Sequence, residues 1–144
     1  MPQTVILSAE DNPANRRIIR DLFGKKGYTI LEATNGEEAV ALAEREKPDL
    51  ILMDIQLPKL SGYDAARTIK ERPELQQIPI IAVTSYALSG DDRRAFEAGC
   101  DDYIVEPLDR SELAVKLKEL LKFRHLRRRA SRAPGSPRRW TPLL

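Results

Sequence analysis

Polar side chains that can hold a metal ion or a phosphate follow four short apolar stretches of this chain. They are Glu10 with Asp11, Asp54, Thr84 and Glu106. Carboxylate oxygens are ligands that a hard divalent cation such as Mg²⁺ prefers, and a carboxylate can also act as a nucleophile. Carboxylates that lie close together raise one another's pKa unless a cation sits between them. These residue types therefore predict metal-assisted chemistry, provided that the fold brings them together.

Asp54 has two interpretations when its own stretch is considered alone. The continuous apolar run over residues 50–53 is typical of a strand that is buried on both faces in a parallel sheet. Pro58 and Gly62 then break the chain into a loop. The aspartate either caps the strand and starts a turn, or lies at the edge where open α/β sheets place their chemistry. The local sequence leaves both interpretations open.

The whole chain predicts five strands that alternate with five helices. The strands are expected at residues 5–7, 28–33, 50–54, 78–84 and 102–105. Helices are expected from Asn12-Pro13 to Gly27, from Asn35-Gly36 to Pro48, over 63–72, over 90–98, and from Asp109 or Ser111 onward. This alternation requires right-handed crossovers and helices on both faces of a parallel sheet. The predicted fold is one doubly wound α/β domain.

All strands of a parallel sheet end at the same edge, which would gather the polar residues there. If strands one, three and four are neighbours, Asp11 and Asp54 face each other at the topological switch point. An all-oxygen site of this kind suits Mg²⁺, which binds through a couple of carboxylates, water and phosphate oxygens.

With these motifs in order, residues 3–122 resemble the receiver domains of two-component response regulators, of the stand-alone chemotaxis and cell-division type. The matching motifs are Glu10-Asp11-Asn12, Asp54-x-x-x-Pro58-x-x-Ser61-Gly62, Thr84-Ser85, Gly99-Cys100-Asp101-Asp102-Tyr103 and Pro107. The resemblance implies a (βα)5 flavodoxin-like receiver fold. It also implies that Asp54 accepts a phosphoryl group from a sensor histidine kinase or a histidine phosphotransfer protein.

The same resemblance implies roles for the other site residues. Asp11, Asp54 and the backbone carbonyl of Gln56 would bind Mg²⁺ directly, and Glu10 would help through water. Thr84 would hydrogen-bond the phosphoryl oxygen. Tyr103 would then swing inward and change a surface formed by helix four, strand five and helix five. That surface would contact a downstream protein or a second copy of the chain. The protein would catalyse at most its own phosphorylation and dephosphorylation.

Glu106 departs from the family pattern, because the family has a lysine before the proline after strand five. Two like charges ~4 Å apart at an effective dielectric constant near 20 repel by about 4 kcal/mol. Three outcomes are open. Glu106 swings into solvent and leaves a weaker phosphate acceptor, or it repels the phosphoryl group and makes a pseudo-receiver scaffold, or it adds a metal ligand or pairs with a basic group of a partner.

Other reactive side chains are expected to be structural. Cys100 is predicted to be a small buried residue rather than a redox sensor. Tyr63 and Tyr86 are predicted to pack loops beside the site. Ser8 and Ser61 are predicted to be turn or cap hydroxyls, because the only histidine of the chain lies far from both in the sequence.

A basic tail follows an acidic body. Residues 122–144 hold eight basic residues and no acidic one, whereas the other 121 residues hold 16 basic and 22 acidic residues, a net charge of −6. Residues 123–144 either extend the last helix or form a disordered extension. A dimerising arm and electrostatic contact with acidic partners are further alternatives. Nucleic acid is a less favoured partner, because the chain offers no recognition helix. His125 lies in this tail and is assigned no catalytic role.

Composition excludes several classes of protein. One cysteine and one histidine cannot form a zinc site of the Cys/His type. No apolar run approaches the ~20 residues that a membrane span needs, and no signal peptide is expected at the start of the chain. Cys100 is the only cysteine, which excludes an internal disulfide and suits a reducing cytoplasm, so a cytoplasmic protein is expected. A hydrolase of the haloacid dehalogenase type is an alternative that also uses an aspartate and Mg²⁺ at a strand end. Gln56 argues against it, because that family has a second aspartate at this position.

Overall fold

Within the residues that the structure describes (4–84 and 91–132, with side chains over 4–84 and 93–122), the chain forms five strands and five helices. The structure is a computed structural model. The strands are β1 (Val5–Ala9), β2 (Thr29–Ala33), β3 (Leu50–Asp54), β4 (Ile80–Thr84) and β5 (Asp102–Val105). The helices are α1 (Pro13–Gly24), α2 (Gly36–Glu46), α3 (Gly62–Lys70), α4 (Asp91–Glu97) and α5 (Arg110–Arg132).

The strands form one parallel sheet in the order β2-β1-β3-β4-β5. This is the doubly wound order of flavodoxin-like folds, and its switch point lies between β1 and β3. Ala9 pairs with Met53 in the register of these two strands, so the residues that follow β1 lie beside the end of β3. The predicted fold class is confirmed, and so is the neighbourhood of strands one, three and four.

The side chains of β3 belong to the apolar cores on both faces of the sheet. All five of its residues are buried, as its continuous apolar sequence predicts. Ile51 and Met53 belong to one apolar cluster, which also receives residues from α2 and α3. Leu50 and Leu52 belong to a second cluster with residues of α1 and α5. The alternation of side chains along the strand thus fixes Asp54 at the end of a rigid central element.

Side-chain caps fix the starts of several helices. The Asn12 side chain accepts hydrogen bonds from the backbone of Ala14 and Asn15, with Pro13 as the first helical residue, as predicted. The Ser61 hydroxyl accepts a hydrogen bond from the Asp64 backbone at the start of α3, which confirms its expected cap role. Asp109, rather than Ser111, caps α5, because its Oδ1 accepts from the Glu112 backbone nitrogen at 2.9 Å.

The structure corrects one local prediction at the start of the chain and confirms another. Ser8 is not a turn or cap hydroxyl, because it lies inside β1, is fully buried, and its Oγ has no hydrogen-bond partner. Strand pairing on both sides overrides the turn preference of serine there. Gly27 ends α1 as predicted. Beyond the last helical residue, Gly24, the Gly27 nitrogen donates to the Gly24 carbonyl at 3.1 Å and the Tyr28 nitrogen donates to the Phe23 carbonyl at 3.3 Å, with Gly27 at a left-handed φ of 81°.

The last helix extends beyond the expected domain limit at residue 122. α5 runs to Arg132, so helix extension is the alternative that the structure supports for residues 123–132. Among its residues up to 122, Leu113, Leu117 and Leu121 are buried and Leu120 packs against them, as predicted. Residues 133–144 lie outside the described residues. None of the helices in the described ranges is both long and apolar enough for a membrane span.

Candidate functional site

The carboxyl edge of the sheet brings three acidic side chains into one cluster. Glu10 and Asp11 follow β1, and Asp54 ends β3. One carboxylate oxygen of each lies within 4.8 Å of those of the other two. Glu10 and Asp54 are buried, at 2% and 8% exposure, whereas Asp11 is exposed. The cluster thus has a buried floor and one side open to solvent, as a site for a partly hydrated cation requires.

The loop after β3 holds the Asp54 carboxylate in place. Its Oδ1 accepts a hydrogen bond from the Gln56 backbone nitrogen at 2.9 Å. Gly62 closes the loop, because its nitrogen donates to the Ile55 carbonyl at 3.1 Å. A β carbon at residue 62 would overlap with the Asp54 carbonyl group, so this position needs a glycine. Gln56 is exposed, and the use of its carbonyl as a metal ligand stays a prediction.

Burial makes the acidic pair costly to ionise. The pKa of Glu10 is raised to about 8, mainly by burial and further by its hydrogen bond and charge interaction with Asp54. Burial is also the main cause that raises the pKa of Asp54, with Glu106 and Asp11 adding to it. Without a cation, Glu10 therefore holds a proton into the neutral pH range, and the ionised form of Asp54 is disfavoured in the same direction. A bound cation would take the place of that proton.

Hydrogen bonds from the backbone and from α1 orient Glu10. Its Oε2 accepts from the Asn12 backbone nitrogen at 3.2 Å, and its Oε1 accepts from Asn15 Nδ2 at 3.1 Å. The Arg16 guanidinium donates to the backbone carbonyls of Glu10 and Asp11 at 3.3 and 3.2 Å. The first turn of α1 therefore fixes the loop that carries the first two acids of the cluster.

Thr84 and Glu106 lie on neighbouring strand ends. Thr84 is buried at the end of β4, and its backbone carbonyl accepts from the Glu106 nitrogen at 2.7 Å. The Glu106 side chain contacts α1, because its Oε1 accepts from Asn15 Nδ2 at 2.7 Å. The peptide bond between Glu106 and Pro107 is cis. Glu106 is half-buried rather than exposed. Which of the three outcomes for Glu106 applies stays a prediction.

Tyr103 lies in β5 and packs against the apolar cluster of α2 and α3. Its ring meets the Phe96 ring edge-on, with 5.9 Å between the centroids, and the Lys116 ammonium lies 5.5 Å from its centroid. The side chain is half-buried at this interface of α4, β5 and α5. Its expected inward swing stays a prediction.

The remaining candidates are structural where the structure describes them. Cys100 is buried, and burial raises the pKa of its thiol to about 12, so it is an inert residue of the core, as predicted. Tyr63 belongs to the core at the start of α3, and the Arg94 guanidinium lies 4.4 Å from its ring centroid. Tyr86 and the side chain of His125 lie outside the described residues.

Sequence reasoning missed Asn15 and Arg16. They hold the acidic loop from the first turn of α1, and the contact of Asn15 with Glu106 joins residues 91 positions apart. Only their position could have indicated this role. The first turn of a helix that follows a parallel strand lies at the carboxyl edge of the sheet, where the site is expected.

Comparisons with known proteins agree with this geometry. The family model described as the response regulator receiver domain matches residues 6–118. A relative from Brucella anthropi, the polar-differentiation response regulator DivK, is 42% identical over 121 residues, which are 84% of this chain and 98% of the relative. Relatives of the same name from other Brucella species are 40% identical over 116 residues.

Solved structures of receiver domains have the same fold. The receiver domain of the sensor histidine kinase PA1611 from Pseudomonas aeruginosa, with a magnesium ion coordinated in its active-site cleft, is 39% identical with a TM-score of 0.78. The match covers 84% of this chain and 99% of that one. A CheY-like receiver domain protein from Methanospirillum hungatei is 27% identical with a TM-score of 0.81, and the match covers 88% and 99%. The match to the family model and the closeness of these relatives show that the chain belongs to the response regulator receiver domain family.

Proposed function

We propose that the protein accepts a phosphoryl group on Asp54 and signals through protein contacts that depend on that phosphorylation. The observation that carries the proposal is the cluster of Glu10, Asp11 and Asp54 at the end of β3, with Thr84 on the adjacent strand. The donor would be a sensor histidine kinase or a histidine phosphotransfer protein. An Asp54 carboxylate oxygen would form the bond to phosphorus while the bond between phosphorus and the imidazole nitrogen breaks.

The acidic cluster fits Mg²⁺ in the number and type of its donors. Three carboxylates within 4.8 Å of one another, two of them buried with raised pKa values, would be stabilised by a hard cation. We assign direct binding to Asp11, Asp54 and the Gln56 carbonyl, and indirect binding to Glu10. Bound there, Mg²⁺ would neutralise charge on the transferring phosphoryl group. The solved receiver domain with magnesium in its cleft supports this assignment by similarity.

The chain's own residues would position the nucleophile and read its state. The Gln56 nitrogen orients the Asp54 carboxylate, and Thr84 would donate its hydroxyl to the phosphoryl group. Tyr103 would respond at the surface of α4, β5 and α5, where it now contacts Phe96. That surface would bind a downstream protein or a second copy of the chain. In this role the protein catalyses at most its own phosphorylation and dephosphorylation, and we place it in the cytoplasm with its kinase.

A pseudo-receiver is the second candidate, because Glu106 puts a carboxylate where the family has a lysine. Its charge contributes to the raised pKa of Asp54, which is the sign of a repulsive interaction at the acceptor. In this case the protein would act as a scaffold that phosphate does not switch.

Incubation with acetyl phosphate and Mg²⁺ separates the two candidates. We expect the unaltered protein to gain one phosphoryl group on Asp54, measured by mass spectrometry of the intact chain and its peptides. The Glu106→Lys variant should gain it faster, because an attractive charge replaces a repulsive one. An unaltered protein that stays unmodified, beside a Glu106→Lys variant that is phosphorylated, would establish the pseudo-receiver.

A further inference from the structure

The loop between β3 and α3 is anchored at two places. Close to β3, the Gly62 nitrogen donates to the Ile55 carbonyl at 3.1 Å. Farther along the loop, the Pro58 carbonyl accepts a hydrogen bond from the Gly36 nitrogen, at the start of α2, at 3.3 Å. Gln56, whose carbonyl is proposed as a ligand of Mg²⁺, lies in the sequence between these anchors. The position of that carbonyl therefore depends on both of them.

The second anchor has a strained backbone. Lys59 has a φ of 68°, in the left-handed region that residues other than glycine rarely adopt. The Leu60 nitrogen donates to the Pro58 carbonyl, two residues earlier, at 2.8 Å. This bond and the positive φ belong to the rare, strained form of the γ-turn. Such strain persists only where the surrounding structure fixes it, and it is often found near functional sites.

The start of α2 provides the contact that fixes this turn. Gly36 is the first residue of α2, directly after the Asn35 cap. A β carbon at residue 36 would overlap with the carbonyl group of Leu60, so only a glycine lets the helix come this close. The Pro58 carbonyl accepts from both Gly36 and Leu60, and one oxygen thus joins the helix to the turn. The side chain of Leu60 also packs against the apolar cluster of α2 and α3.

The geometry points to Gly36 as a positioning residue that holds the turn at residues 58–60 and, through it, the Gln56 carbonyl beside the acidic cluster. This inference rests on the proposed function, because it takes that carbonyl as a ligand of Mg²⁺. Gly36 touches neither the metal nor the reacting atoms and acts through the backbone alone. In this way α2 sets the metal affinity of a cluster whose three carboxylates all lie outside it.

The first test is Gly36→Ala with two measurements. Calorimetric titration of the metal alone gives the dissociation constant of Mg²⁺, and acetyl phosphate gives the initial rate of phosphorylation over a range of Mg²⁺ concentrations. The added β carbon pushes the turn away, so we expect Mg²⁺ to bind several-fold more weakly. The Mg²⁺ concentration for half of the maximal rate should rise by a similar factor. The rate at saturating Mg²⁺ should change much less, because the acidic side chains keep their places.

A double-mutant cycle with Lys59→Gly tests whether the strained turn is the link. Glycine adopts a positive φ without strain, so the turn becomes free to yield. Lys59→Gly alone should weaken Mg²⁺ binding by a smaller factor, and this measurement does not depend on the folding of Gly36→Ala. In the Lys59→Gly background, Gly36→Ala should have little further effect. Lys59→Ala is the matched control, because it removes the same charge and keeps a β carbon, and in that background the effect of Gly36→Ala should persist.

Val40→Ala is the control for stability. It removes part of a buried side chain from the same helix, so it should lower the melting temperature. The Mg²⁺ dissociation constant of the folded protein should stay unchanged, because Val40 has no place in the loop between β3 and α3.

Three results would overturn the inference. Unchanged Mg²⁺ binding in Gly36→Ala, or in Lys59→Gly, would show that the turn does not position a ligand. An equal loss of affinity in Val40→Ala would indicate a merely structural glycine. An effect of Gly36→Ala that is the same with lysine, alanine and glycine at residue 59 would show that the turn is not the link.

The same measurements separate this inference from the proposed function. If the unaltered protein binds Mg²⁺ but takes no phosphate, the proposed function fails, and the Mg²⁺ titrations still decide the role of Gly36. If the unaltered protein binds no Mg²⁺, the inference fails together with the metal assignment.

Discussion

At the scale of single residues, the site pairs a buried aspartate, the proposed phosphate acceptor, with an unusual neighbour. Asp54 is fixed by the Gln56 nitrogen and lies within the acidic cluster. Glu106 brings a further negative charge to the same edge of the sheet, and its carboxylate accepts a hydrogen bond from Asn15. Burial of like charges is tolerated only when a proton or a cation compensates them. The cluster is therefore expected to couple protons, Mg²⁺ and stability.

The first prediction concerns pH and follows from Glu10. Its pKa rises from 4.5 in the unfolded chain to about 8 in the folded protein, so the folded state binds the proton more tightly. The stability from this group is fully present below pH 4.5 and is lost as the pH rises through about 8. In the presence of EDTA, Glu10→Gln should remove this part of the pH dependence, measured as the free energy of unfolding in urea between pH 5 and pH 8.

Mg²⁺ provides the control for this prediction. The ion binds deprotonated carboxylates, so it should raise the melting temperature more at pH 8 than at pH 5. The same slope of stability against pH in the unaltered protein and in Glu10→Gln would show that Glu10 does not carry a shifted pKa.

At the scale of elements, local sequence predicts the central strand and the starts of the helices well. The continuous apolar run of β3, the Ser61 cap and the start of α1 at Pro13 follow from local rules and agree with the structure. Ser8 does not follow them, because its strand pairing outweighs its turn preference. The contact of Asn15 with Glu106 could not be predicted, because no local pattern relates residues on α1 and after β5.

Gly62 gives the prediction at this scale. A β carbon there meets the Asp54 carbonyl and the Ile55 Cα, so Gly62→Ala must displace the backbone that carries Asp54, the proposed acceptor. We expect a loss of about 1–3 kcal/mol in the free energy of unfolding and a slower phosphorylation of Asp54. Gly24→Ala is the matched control, because nothing lies within 4 Å of a β carbon at the end of α1. Equal stability of the two variants would contradict the tight approach at Gly62.

At the scale of the whole molecule, an acidic receiver domain continues into a basic helix. The alternation of strands and helices predicted the doubly wound sheet, because the crossover rules leave few arrangements for such a chain. Composition located the charge boundary near residue 122 but not the end of α5, which continues to Arg132. Lysine and arginine are good helix formers, so a basic stretch is compatible both with a helix and with a disordered tail.

One alternative predicted from the sequence is that residues 123–144, beside a helix extension or a disordered tail, form an arm that contacts a second copy of the chain. Deletion of residues 124–144 should then convert a dimer to a monomer, measured by light scattering at several protein concentrations. If the truncated chain is still a dimer by light scattering, the dimerising-arm hypothesis is wrong. Salt-sensitive binding of DNA that disappears with the same deletion would instead assign the basic residues to nucleic acid.

The central claim is that Asp54 is a phosphate acceptor that depends on a cation in the acidic cluster. Its most direct test is the phosphoryl content of the protein after incubation with acetyl phosphate, measured by mass spectrometry with Mg²⁺ and with EDTA. The account predicts one phosphoryl group on Asp54 with Mg²⁺, and none with EDTA or in Asp54→Asn. A phosphoryl group that appears on Asp54→Asn to the same extent, or a chain that stays unmodified with Mg²⁺, would contradict it.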